Sequence, residues 1–136
     1  MSKENLISNP SILEIKKFID SNPNGLKKFR YFNKRGFDII KNHLKTLLLV
    51  DNEKIVGYSH LDREGDDIWF GIMICDDCVG KGHGSFLIKE TLSEFYGDVK
   101  LTVDKDNLPA INLYTKNNFK ILEEHSDYFL MINKKS

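Results

Sequence analysis

The densest chemistry in this chain lies in seven residues, Val79-Gly80-Lys81-Gly82-His83-Gly84-Ser85. Glycines at alternate positions let successive backbone N–H groups turn into one hollow. An apolar run, Ile68 to Ile74, precedes the loop, and Phe86 to Phe95 follows it with helical periodicity. The N-terminus of that helix adds the positive end of its dipole, so the loop is suited to a pyrophosphate. Two familiar glycine loops do not fit the letters. A P-loop needs Gly-Lys-Ser/Thr at its end, and here Gly84 meets Ser85 directly. In the dinucleotide fingerprint the third glycine falls one residue later than Gly84 does. A glycine-rich strand-to-helix turn without a ligand is the plain alternative.

The remaining candidates are sparser. The two cysteines, Cys75 and Cys78, form a C-x-x-C pair just before the loop. A structural zinc needs four ligands, there is no second such pair, and His43, His60, His83 and His125 show no metal spacing, so no metal is expected. A redox dithiol of the thioredoxin kind sits at a helix N-terminus, whereas this pair ends a strand. The favoured reading is two cysteines at a strand end with no further role; the residual idea is that Cys78 lies near a bound thiol cofactor and is oxidised with it. His60 titrates in the range of a general base, although a lone strand histidine is more often structural.

Composition excludes several classes. Lysine plus arginine balance aspartate plus glutamate over 136 residues, giving net charge zero, which argues against a nucleic-acid binder. The brief basic and aromatic segment Leu26 to Arg35 does not change that. No apolar run approaches the roughly 20 residues that span a bilayer, and no apolar signal region follows Met1, so a cytoplasmic protein without membrane partners is expected. One domain, 1–136, fits the length, and it can bury roughly two-thirds of its unfolded surface.

The elements that must hold the loop follow from periodicity and breakers. Ser11 to Asp20 reads as a helix with Ile12, Ile15, Phe18 and Ile19 on one face, closed by Ser21 to Gly25. Gly36 to His43 reads as a second helix. Leu47–Val50, Ile55–Asp62 and Ile68–Cys75 form a meander joined by short polar turns. The helix after the loop buries Leu87, Ile88, Thr91, Leu92 and Phe95, with Gly97 ending it. Val99–Val103 is a strand that a helical crossover lets run parallel to the strand before the loop. Leu108 to Asn117 is a helix capped by Asp106 or Asn107, with Asn118 in a left-handed ending position. Phe119–Leu122 and Tyr128–Ile132 close as a hairpin. The fold class is α+β, a three-layer α/β/α arrangement on a mixed, mostly antiparallel sheet.

The helix Leu108–Asn117 carries a second motif. Asn107, Ala110, Tyr114 and Phe119 fall at the positions of N-x-x-A-x-x-x-Y-x-x-x-G-F, with Asn118 in place of the final glycine. Together with x-x-G-x-G after a strand, this resembles the GNAT family of N-acetyltransferases over residues 68–119. Val79 departs from the Arg or Gln that usually opens that loop. Nothing in Met1 to Leu44 matches a motif. The resemblance implies a GNAT-like acyl-CoA N-acyltransferase fold with a splayed parallel strand pair. It implies acetyl-CoA as cosubstrate. Ile72, Met73 and Ile74 would pair with the pantetheine arm through backbone. Val79, Gly80, Lys81, Gly82, His83, Gly84 and Ser85 would hold the pyrophosphate, Asn107 would bond the arm, and Lys81 or Lys116 would reach other phosphates. Tyr114 would be the general acid for the departing thiolate. Many relatives carry a Glu base where Thr102 stands, so His60, Asp76, Asp77 or a water chain is left for that role. The expected reaction is acetyl transfer to a small-molecule amine of the amino sugar, amino acid or polyamine class. A peptide or protein acceptor and a non-catalytic acyl-CoA sensor are the alternatives, and a homodimer stays open.

Overall fold

The computed structural model describes residues 5–28 and 42–134. Strands β1 (Leu6–Ser8), β2 (Lys45–Asp51), β3 (Lys54–Glu64), β4 (Asp67–Ile74), β5 (Val99–Asp104), β6 (Lys120–Glu124) and β7 (Tyr128–Asn133) form a seven-stranded sheet in the order β1-β2-β3-β4-β5-β7-β6. Helices α1 (Ile12–Asp20) and α2 (Pro23–Lys28) precede the meander, α3 (His83–Leu92) joins β4 to β5, and α4 (Leu108–Lys116) joins β5 to β6. The only parallel neighbours among the described strands are β4 and β5. Residues 36–41 of the expected helix Gly36–His43 and most of the basic segment lie outside the described residues, and His43 is not helical.

Local chemistry accounts for the main boundaries. Ser11 Oγ accepts from Glu14 N at 3.1 Å while Ser11 N donates to Glu14 Oε1 at 3.0 Å, a capping box that starts α1. Asn52 and Glu53 both take positive φ, 51° and 66°, as a tight hairpin turn between β2 and β3 requires. Register places Leu48, Tyr58 and Met73 abreast on β2, β3 and β4. They share a core with Ile15, Phe18 and Ile19 of α1. The opposite parity, Leu61 and Phe70, joins Ile88 and Leu92 of α3 in a second core that Ile111, Leu113 and Tyr114 of α4 cover. Helices thus cover both faces of the sheet.

Three expectations are corrected. The short edge strand β1 stands where none was expected, held by antiparallel pairing to β2. The segment around Pro23, read as a breaker, starts α2 instead, since proline is well suited to a first helical turn. Helix α3 runs from His83 to Leu92, so it starts earlier than Phe86 and stops well before Gly97. Glu94 takes the left-handed conformation past its end, φ 64°, and Lys45 Nζ donates to the carbonyls of Glu90 at 2.6 Å and Ser93 at 3.4 Å. A cation from a neighbouring strand meets the end of α3, where the helix dipole favours positive charge.

Candidate active site

The glycine loop divides its labour. Gly80 and Gly82 have φ of 86° and 85°, where an L side chain is strained. Gly84 is different. A Cβ there would lie 2.7 Å from Leu113 Cδ2, so this glycine lets α3 and α4 approach. Because α3 begins at His83, the residues His83, Gly84 and Ser85 form its first turn rather than part of the loop. First-turn N–H groups have no intrahelical acceptor, and N-cap Gly82 offers no side-chain cap. These donors are what a phosphate oxygen would meet. The His83 ring is buried, so only its backbone can serve such a ligand. Ser85 Oγ accepts from Asn117 Nδ2 at 3.1 Å, a second tie between α3 and α4. Lys81 is exposed at the loop tip and Lys116 is exposed on α4.

The parallel pair β4–β5 is joined at one register position, Trp69↔Lys100. Beyond it the strands diverge, and a cavity of about 820 Å³ opens between them. Ile72, Met73 and Ile74 line one wall, Leu101 to Asp104 line the other, and Val79, Asn107, Leu113 and Tyr114 also face it. Asn107 uses its Oδ1 to cap α4, accepting from Ala110 N at 3.4 Å. Its amide NH2 is the end that a pantetheine carbonyl would meet. Asn118 takes φ 72°, the left-handed ending expected of it.

Tyr114 is half-buried on the cavity wall. Its ring stands edge-on to Phe70 at 6.5 Å and to Phe119 at 5.8 Å. Its hydroxyl makes no hydrogen bond to the described residues. Desolvation holds the phenol pKa well above its usual value, so the group keeps its proton across the working pH range.

The base candidates separate on geometry. His60 is buried, lines the cavity, and shares a 2.7 Å hydrogen bond between its Nδ1 and the Tyr58 hydroxyl. The His43 ring lies against it at 4.4 Å between centroids. Thr102 also lines the cavity, but a hydroxyl is no base near neutral pH. Asp76 is occupied, accepting from Asn24 N at 3.1 Å and Gly25 N at 2.8 Å. Asp77 is exposed and bonds Lys54 at 3.3 Å, which holds its carboxyl below the usual range and makes it a weak base.

Several cavity residues escaped the sequence reading. Asp62, Glu64, Trp69, Asp104 and Tyr128 all line the cavity, as do Asn24 and Gly25 at the head of α2. His60, Asp62 and Glu64 alternate along β3, so they share one sheet face. That period-2 run of polar residues in an otherwise buried strand was the available signal. Cys75 and Cys78, both buried, are joined in a disulfide with Cα atoms 5.2 Å apart. The pair is thus more than two packed thiols at a strand end. Among the described residues no cluster of histidine, cysteine and acidic groups could hold a metal. No described helix is long and apolar enough to cross a membrane.

A mixed sheet whose parallel pair, β4–β5, splays around a cavity is the architecture of the acyl-CoA N-acyltransferase fold. The acetyltransferase (GNAT) family model matches residues 10–119, and the chain belongs to that family. It is an acetyl-CoA-dependent acetyltransferase. The fold is shared with PaiA N-acetyltransferase from Thermoplasma acidophilum in complex with coenzyme A (TM-score 0.74, 17% identity, 98% of this chain and 99% of that one). It is shared with YncA, a putative acetyltransferase from Salmonella typhimurium with acetyl-CoA (TM-score 0.76, 13% identity, 97% and 95%). Campylobacter jejuni N-acetyltransferase PseH in complex with acetyl coenzyme A is also similar (TM-score 0.66, 21% identity, 96% and 98%). No curated protein sequence matches the chain.

Proposed function

We propose that this protein moves an acetyl group from acetyl-CoA to a primary amine of a small molecule, of the amino sugar, amino acid or polyamine class, by direct attack in a ternary complex. The observation that carries this is the single cavity of about 820 Å³ that Val79 at the loop, Tyr114 and the carboxylates of Asp62, Glu64 and Asp104 all line. Its volume is that of a small-molecule site.

The chemistry then needs a proton off the amine, a stabilised oxyanion and a proton onto sulfur. His60 takes the ammonium proton, with Tyr58 fixing its Nδ1 through the 2.7 Å hydrogen bond. The freed nitrogen lone pair forms the C–N bond, and the carbonyl oxygen becomes an oxyanion. The Met73 N–H is turned to Tyr58 on β3 by the register, so a β4 N–H on the β5 side, that of Ile72 or Ile74, stabilises it, an effect worth roughly 3–4 kcal/mol in such sites. The oxyanion then reforms the carbonyl as the C–S bond breaks toward the Tyr114 hydroxyl, and the second proton lost by the nitrogen replaces the one that Tyr114 gives to sulfur. A phenol is a weaker acid than a thiol in water. Tyr114 therefore acts first as a hydrogen-bond donor, and its proton moves as the desolvated thiolate becomes the stronger base.

Thermal melting tests the cosubstrate site. A ligand of the native state raises the melting temperature by mass action. Acetyl-CoA at millimolar concentration should raise it for the wild type and leave it unchanged for Gly82→Glu, whose carboxylate would fill and repel the phosphate hollow. An amine panel with acetyl-CoA, followed by free thiol release, then identifies the acceptor. If wild-type protein shows no shift with acetyl-CoA or coenzyme A, the reading is wrong.

A further inference from the structure

The Cys75–Cys78 disulfide lies between two parts of the site. Cys75 is the first residue past β4, and its N–H donates to Val56 O at 2.8 Å. Cys78 N donates to Cys75 O at 2.9 Å, so the two cysteines close one turn, which leads through Val79 directly into Gly80. Asp76, inside that turn, is fastened to the junction of α1 and α2 by its own N–H and its carboxylate. Its N–H donates to Asn22 Oδ1 at 2.9 Å, and its carboxylate accepts from Asn24 N and Gly25 N. Asn24, Gly25, Asp76 and Val79 all line the cavity. The turn thus connects the α1–α2 wall of the cavity to the start of the phosphate loop.

As a staple for the whole fold this bond has little reach. Its cysteines are separated by 3 in sequence, and the shortest closed loops constrain the unfolded chain least. Its constraint falls on the turn itself. In a reducing compartment such a disulfide is usually redox-active rather than structural.

We propose that Cys75 and Cys78 form a reversible dithiol–disulfide site whose state sets the affinity for acetyl-CoA. The electron donor is a dithiol reductant. Its thiolate attacks Cys78 Sγ, since Cys78 retains 6% exposure and Cys75 none. The S–S bond of the protein breaks, a mixed disulfide forms, and Cys75 leaves and takes a proton. The second thiol of the reductant then displaces Cys78, so two electrons and two protons enter the protein and the reductant ends as a disulfide. Oxidation by a disulfide runs the same steps backwards. In the reduced form the turn loses its cross-link, and its residues must be ordered again when the phosphate loop closes on a ligand. Affinity falls roughly tenfold, about what ordering one residue's backbone costs.

Calorimetric titration of acetyl-CoA into the protein tests this with a binding readout that does not depend on turnover. One sample is oxidised with a small disulfide, the other reduced with a phosphine, and alkylation with mass analysis counts free thiols in each. The expected result is no free thiol and tighter binding in the oxidised form, two free thiols and about tenfold weaker binding in the reduced form. The double variant Cys75→Ser/Cys78→Ser should bind like the reduced wild type and ignore the treatment. Equal affinity in both forms, or two alkylated cysteines after oxidation, overturns the proposal. The wild-type pair gives this answer even if the variant fails to fold. Absence of binding in both forms would overturn the acetyl-CoA site itself and this proposal with it, a result distinct from equal binding.

Discussion

Replacing Tyr114 with phenylalanine removes one oxygen from the proposed reaction and almost nothing from the fold. The ring keeps its edge-on contacts with Phe70 and Phe119. The hydroxyl has no partner among the described residues, so none is stranded by its loss. Stability at neutral pH should stay within about 0.5 kcal/mol of wild type. Turnover should fall roughly 10²–10⁴-fold, or about 2.7–5.4 kcal/mol of barrier. Acetyl-CoA affinity should change little, because the lost interaction belongs to the transition state. The raised phenol pKa adds a signature in pH. Folding disfavours the phenolate, so the wild-type contribution is complete below the unfolded value near pH ~10 and is lost as pH rises above it, at up to about 1.4 kcal/mol per unit. Tyr114→Phe should escape that alkaline loss. Steady-state rates, calorimetry and melting from pH 7 to 11 measure all of this. Turnover within about threefold of wild type would refute the acid role, and a loss of acetyl-CoA affinity would mean that the hydroxyl holds the ligand instead.

Gly84→Ala places a Cβ 2.7 Å from Leu113 Cδ2, and we expect it to destabilise the protein by about 1–3 kcal/mol in denaturant melts, with Leu113→Ala in the same chain restoring part of the loss. Ser11→Ala removes one arm of the α1 capping box and should cost about 0.5–2 kcal/mol while leaving turnover with a good acceptor unchanged; a drop in turnover at full folding would tie α1 to the acceptor site.

Signals confined to a few consecutive residues were legible in the sequence. Asn107 caps α4 and Asn118 takes the left-handed ending, because a side-chain amide and a short polar residue meet those demands locally. The end of α3 was not legible, because Lys45 of β2 meets its last carbonyls from 45 residues away in sequence, and Gly97 was a local decoy. Three residues of β1 carry no readable period, and only pairing with β2 makes them a strand. The polar pair Arg63-Glu64 looked like turn. It is strand because it stays in register with Asp67 and Ile68, and that register is what brings Glu64 into the cavity wall beside Asp62. The disulfide depends on how the turn folds back, which the spacing alone left open between packing, metal and redox roles.

The two motifs of the sequence meet in a way that neither one shows alone. The third loop glycine, Gly84, is a packing residue whose missing Cβ admits Leu113, the neighbour of Tyr114 on α4. One residue later in α3, Ser85 accepts a hydrogen bond from Asn117, one turn past Tyr114. The helix start that would hold the pyrophosphate and the hydroxyl that would meet the sulfur are therefore positioned by the same pair of contacts, on either side of Tyr114. An extended ligand fixed at one end by backbone donors reaches the other end in register only if the distance between the two anchors is constant. Contacts between α3 and α4 keep it constant, and the interiors of proteins resist small changes of spacing because they are close-packed. The glycine spacing of the loop is thus a requirement of the tyrosine helix as much as of the phosphate, and a substitution at Gly84 should disturb the reaction at a site its own atoms do not touch.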